Sequence, residues 1–164
     1  MRWQPDSPVC EECGFAWTIS RDDAADLVTQ LPEAATAAVA RIRQPMQQIG
    51  TRWSASMYVW HLVDVLRIGT ERLLTVTHDP GRGITCWDEN ALAETRRYAQ
   101  LSPAVGLIVL RAAAREWSGP ASEAPAAAVV RHPQFGNLGA LEIIRRNAHE
   151  AHHHLMDINK YTDS

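Results

Sequence analysis

Four of the seven histidines fall within six positions near the C-terminus, in His149-Glu150-Ala151-His152-His153-His154. Imidazole ligates divalent metals and changes its charge near neutral pH, so a local excess of it marks the place where chemistry is to be sought. His149 and His153 stand four residues apart, and on a helix their Cβ atoms would be about 6 Å apart, close enough for both rings to reach one ion. His61, far upstream, could add a third nitrogen from another element. Three neutral imidazoles leave a divalent ion its full double charge and an open position, the arrangement used when a metal must also hold water or a thiolate. Glu150 between them could lie on the helix surface or serve as a base beside the metal. Periodicity leaves a competitor. With Ala148 at the centre of the apolar face, His152 lies about 40° away at 100° per residue, against about 100° and 140° for His149 and His153.

The second chemical signal is Cys10-Glu11-Glu12-Cys13-Gly14-Phe15, which has the form of one zinc-ribbon knuckle. A glycine after the second cysteine lets the backbone turn and aim N–H groups at the thiolates. A tetrahedral zinc site needs two further ligands, and Cys86, His78 and His132 stand at no diagnostic spacing. The pair could equally be free thiols or a redox dithiol. With an odd total of three cysteines, a secreted disulfide framework is excluded as a reading.

These groups must be positioned by helices. Residues 1–19 lack a period and read as an irregular arm, followed by a domain over 20–164. Ser20 with Asp22 and Asp23 opens a first helix that runs to about residue 43, with a kink or a restart expected near Leu31 because of Pro32. A second helix spans about 54–75, where Met57, His61, Val65 and Ile68 share one face and turn His61 inward. His78-Asp79-Pro80-Gly81-Arg82-Gly83 is a loop. Asp88 caps a third helix through about residue 117, with a bend at Ser102-Pro103. The stretch 118–137 is a long connection with little pattern, in which Ala126–Ala128 could form a turn of helix. A last helix covers about 138–160. Few strand signals accompany these four segments, so the expected fold is an all-α four-helix bundle.

Composition narrows the partners. Sixteen basic residues against nineteen acidic ones give a net charge of −3 over 164 residues, which makes no electrostatic case for nucleic acid or anionic membranes. No apolar run reaches the 18 or so residues of a spanning helix, and the N-terminus lacks signal-peptide order, so a cytoplasmic location is expected.

Trp53-Ser54 followed by His61-Leu62-Val63-Asp64, together with His149-Glu150-x-x-His153-His154-Leu155-x-Asp157-Ile158, resembles the two signature regions of the DinB-like superfamily of metal-binding four-helix bundles. The resemblance covers about residues 22–160. It implies an unusual connection order with a long crossover, to which 118–137 corresponds. It also implies a divalent metal, zinc or nickel, held by one histidine of the second helix and a His-x-x-x-His pair of the last. By position these are His61, His149 and His153. Asp64, Asp157 and His152 are then candidates for orienting the ligands from behind, and the Cys10-x-x-Cys13 arm has no family role. Family activities include transfer of low-molecular-weight thiols to electrophiles, thiol-dependent isomerisation and hydrolysis of small molecules. Lys160 is the only lysine beside many arginines and alanines, a composition that points to mycothiol as the thiol. Arg67, Arg72, Arg145 and Arg146 could anchor a substrate carboxylate. The competing expectation is a non-enzymatic metal-binding or redox-responsive bundle, and exposed helix faces would suit a homodimer.

Overall fold

The computed structural model describes residues 5–162. Helix α1, Arg21–Val39, begins where the Ser20 hydroxyl accepts the Asp23 N–H, and it runs through Pro32 without the expected restart. The Pro32 ring is buried in the core, so packing against neighbours outweighs the one backbone bond it cannot make. Helix α2, Ala55–His78, is capped by Ser54.

The single third helix expected from 88 to 117 is two helices. Helix α3, Glu89–Thr95, is capped by Asp88, and helix α4, Pro103–Glu123, by Ser102. Between them lies a 3₁₀ turn at Tyr98–Gln100, entered through Arg97 in the left-handed region at φ 55°. Two causes act together. Ser102 before a proline is driven to extended backbone, and Asp64 of α2 accepts from both Arg96 and Tyr98, pinning the break to the bundle. Helix α4 also continues past the expected stop at Gly119-Pro120. There Arg21 of α1 donates to the Ala121 and Ala124 carbonyls that the helix end leaves open.

The unpatterned connection contains a hairpin. Strands β1, Val129–His132, and β2, Gly136–Gly139, pair antiparallel with Val130 opposite Leu138, both fully buried. Gly136 at φ 69° makes the turn possible. The loop after α2 joins this sheet, with Ile84 donating to the Arg131 carbonyl at 2.9 Å and Arg131 to that of Arg82 at 2.8 Å. Helix α5, Ala140–Asn159, follows directly, its first turn closed by Gly139 N–H on the Glu142 carboxylate at 2.9 Å.

Helix α2 packs against α4 and α5, and α1 packs against the same two, so the order around the bundle is α1, α4, α2, α5. The connection from α4 to α5 therefore crosses the diagonal, as expected of 118–137, and so does the one from α1 to α2. This brings the second and last helices side by side although residues 79–139 separate them. They pass close to each other at Gly69. A Cβ there would lie 2.2 Å from Asn147 Oδ1, the atom that accepts the Trp117 indole N–H at 2.9 Å.

Gly69→Ala should therefore displace Asn147 and leave a buried indole N–H unpaired. The expected loss is about 1–3 kcal/mol of stability, read as a lowered midpoint in denaturant titration. An unchanged midpoint would show that the helices are not held this close.

Candidate metal centre

The histidines of α5 face two neighbours. Residues 150 and 154 look toward α2, where His61 is fully buried. His61 Nε2 lies 3.3 Å from Glu150 Oε2 and His154 Nε2 lies 3.2 Å from the same oxygen, so two imidazoles and a carboxylate converge on one point. Behind them, Asp157 accepts from His154 Nδ1 at 3.0 Å and fixes that ring. Trp87 stacks on His61 with centroids 5.5 Å apart, Trp53 meets it edge-on, and Tyr58 stacks on His154 at 5.2 Å. An aromatic wall thus surrounds a polar knot.

One residue back along the helix, His149 and His153 look toward the N-terminal arm. Together with Cys10 and Cys13 they offer four ligand atoms that all lie within 4.8 Å of one another. The arm is folded here by a bridge between Val9 and Ala16, by Gly14 at φ 73°, and by Gly14 N–H on the Cys10 carbonyl at 2.8 Å. Arg145 of α5 holds its end by donating to the Ile19 and Thr18 carbonyls. Phe15 is buried beneath it, and Trp17 stacks on His149 at 4.6 Å.

The expected trio His61, His149 and His153 is thus divided between two groups. The i, i+4 spacing survives on the α2 side, but as Glu150 and His154. A step of one residue turns a helical position by about 100°, and the two ladders have identical spacing, so only the packing of α2 against α5 separates them. Of the expected supporting residues, Asp157 does orient an imidazole, that of His154. His152 hydrogen-bonds the Cys13 carbonyl at 3.0 Å instead, and Asp64 is taken up by Arg96 and Tyr98. The sequence marks Glu150 as a surface residue or a base beside the metal and leaves His154 without a role, so neither stands there as a member of the α2-side group. Their exchange with the first-named pair carries no hydrophobic signature, because all four side chains are polar.

Charges are arranged accordingly. For Glu150, burial pushes the carboxyl pKa up but is outweighed by hydrogen bonds from His149, His154 and His61, which hold it well below the usual range. His154 is raised to about 9: burial opposes its charge, and the bonds to Asp157 and Glu150 overcome that. The hydrogen bond with His149 lowers Cys10 to about 6, whereas burial raises Cys13.

Beside Glu150 opens a cleft of about 160 Å³ lined by Trp87, Arg72, Arg146, His132 and Gln134, among others. Arg72 and Arg146 line it together, while Arg67 is exposed and Arg145 serves the arm. Burial first, then the two arginines, push His132 down to about 4, and its Nδ1 accepts the Gln134 and Phe135 N–H groups. The cleft is small, and its two arginines share the lining with two carboxylates, Glu89 and Glu150 of the knot.

The fold and the cluster define a four-helix bundle with a histidine–carboxylate knot between its second and last helices. The chain belongs to the DinB superfamily, whose profile matches residues 16–158 and so stops short of Cys10 and Cys13. Among solved structures it is similar to YfiT from Bacillus subtilis, described as a probable metal-dependent hydrolase with an unusual four-helix bundle topology. The TM-score is 0.79 at 16% identity, covering 99% of this chain and 93% of that one. None of the curated proteins matches the chain in sequence.

Because the folded His132 titrates near 4 and an unfolded histidine near 6.5, the unfolded chain takes up this proton first. The group's contribution is complete above pH 6.5 and is lost as pH falls toward 4. His132→Asn should flatten the decline in unfolding free energy across that window. Parallel pH profiles for the two proteins would refute a neutral His132 in the cleft wall.

Proposed function

We propose that the protein is a metal-dependent enzyme acting on a small anionic molecule, with the divalent ion held by His61, Glu150 and His154. The carrying observation is that the Glu150 oxygen facing both imidazoles belongs to a side chain that also lines the cleft. Two histidines and one glutamate are a donor set that hydrolytic zinc sites use, with the fourth position left open. His61 and His154 bring neutral nitrogen, and Glu150 lowers the net charge of the bound ion by one.

A zinc or nickel ion bound there would supply a Lewis acid able to lower the pKa of water to about 7 or to hold a thiol as thiolate. The chain's own residues do the rest. Asp157 keeps His154 in the tautomer that presents Nε2. Trp87 and Trp53 exclude bulk water from His61 and strengthen every electrostatic contact near it. Arg72 and Arg146 attract and orient a carboxylate or similar anion in the cleft, and Arg72 is steadied by its bond to the Thr85 carbonyl at 3.0 Å. The reaction is either hydrolysis or thiol S-transfer with a low-molecular-weight thiol such as mycothiol. The cleft volume suits small substrates in both cases.

His61→Ala, Glu150→Ala and His154→Ala should each remove about one equivalent of metal per chain and abolish turnover of small ester, amide or electrophile substrates. Elemental analysis that finds full metal in His154→Ala would overturn the ligand assignment. Assays with and without mycothiol, bacillithiol and glutathione separate hydrolysis from transfer, and activity in the metal-free chain would refute metal dependence.

If the two cleft arginines hold the substrate anion, Arg72→Ala should raise KM at least tenfold for a carboxylate substrate and leave its neutral amide analogue nearly unaffected. Equal effects on both substrates would argue that Arg72 supports the loop at Thr85 instead.

A further inference from the structure

We propose that Cys10, Cys13, His149 and His153 form a second, closed zinc site that fastens the N-terminal arm to α5. This assignment stands apart from the ligand set in the cleft.

The donor set is complete within one cluster. Two sulfurs from the arm and two nitrogens from one face of α5 lie within 4.8 Å of one another. Tetrahedral zinc with bonds of about 2.3 Å to sulfur and 2.0 Å to nitrogen separates its ligands by roughly 3.3–3.8 Å, so a modest convergence of side chains suffices. The CxxC turn already has its knuckle backbone, with Gly14 in the left-handed region and Cys10 N–H on the Phe15 carbonyl at 2.9 Å.

An independent observation points to a ligand at this spot. His153 Nδ1 is buried without a hydrogen-bond partner, and the buried His149 Nε2 has none beyond the Cys10 thiol, a fellow member of the cluster. In both rings the opposite nitrogen faces a carboxylate. His149 Nδ1 lies 3.5 Å from Glu150 Oε1, and His153 Nε2 lies 3.4 Å from Glu12 Oε2 and 3.7 Å from Asp157 Oδ2. Carboxylates behind the rings select the tautomer whose lone pair sits on the orphaned nitrogen, which is how histidine ligands of zinc are set. A buried lone pair beside two thiols is well satisfied by a Lewis acid such as zinc.

The four ligands leave no open position, so this ion is structural, and it explains why the arm keeps a fixed course without helix or sheet of any length. The site would also govern the cleft indirectly: fixing the His149 ring fixes Glu150 Oε1 through their contact, and Glu150 Oε2 is the atom on which His61 and His154 converge.

The test uses the full chain in two backgrounds. His154→Ala removes the other ion, and the protein should then retain about one zinc, with X-ray absorption reporting two sulfur and two nitrogen neighbours. Adding Cys10→Ser and Cys13→Ser should empty it. In the wild-type chain, cobalt exchange should give a thiolate-to-metal charge-transfer band that Cys13→Ser removes and Cys86→Ser keeps. Thiol titration of the native zinc form should find one reactive cysteine, the exposed Cys86, and three after chelation. A sulfur-free absorption spectrum, three reactive thiols in the zinc-loaded protein, or two thiols recovered only by reductant would each overturn the site. Undiminished metal in His154→Ala overturns the cleft assignment, whereas undiminished metal in the double serine variant overturns the knuckle, so the two proposals fail separately.

Discussion

The geometry of α5 is the constraint on which both clusters depend. A helix places residues four apart in one row and turns the next row by about 100°, so His149/His153 and Glu150/His154 are parallel ladders on adjoining faces. Each needs its own covering element. Helix α2 covers one ladder and brings His61; the arm covers the other and brings Cys10 and Cys13. The diagonal connections of the bundle are what allow α2 and α5 to be neighbours, and the close passage at Gly69 and Asn147 fixes their register just before the ladders begin.

Such a concentration of polar groups inside a small bundle is costly unless each is satisfied, since a buried unpaired donor or acceptor loses about 1–3 kcal/mol. Two compensations are built in. Carboxylates stand behind the imidazoles, with Asp157 serving His154 and Glu150 reaching three rings. Aromatic rings fill the remaining contacts: Trp53, Tyr58 and Trp87 on the α2 side, Phe15 and Trp17 on the arm side. Trp17, Trp53 and Trp87 serve this need, because a flat ring can pack against imidazole edges and faces without demanding a hydrogen bond from them.

The bundle was legible because its signals are local. Ser20 and Asp88 cap helices where expected, and the apolar spacing that turns His61 inward holds. What escaped depends on distant partners. The break at residues 96–102 is stabilised by Asp64 from another helix, and the hairpin at 129–139 has four-residue strands in which one buried pair, Val130 with Leu138, carries the pairing. Neither leaves a period to read. The cluster itself was found by residue type, yet its division into two was not, since hydrophobic periodicity measures only the apolar side of a helix and both ladders lie off it.

Glu150 is the residue where the two halves meet, and its chemistry argues against treating them as independent. One oxygen faces His149 and the other faces His61 and His154. A carboxylate held at both ends has little freedom to rotate, so it presents a single lone-pair direction to anything bound in the cleft. If His149 were released from the arm, Glu150 would lose one of the contacts that hold it charged and oriented. The cysteine turn of the arm, outside the portion of the chain that matches the family, is thereby linked to the portion that lies within it. A short irregular segment can do this without touching the cleft, because the lever is one rigid helical residue whose two carboxylate oxygens point into different environments.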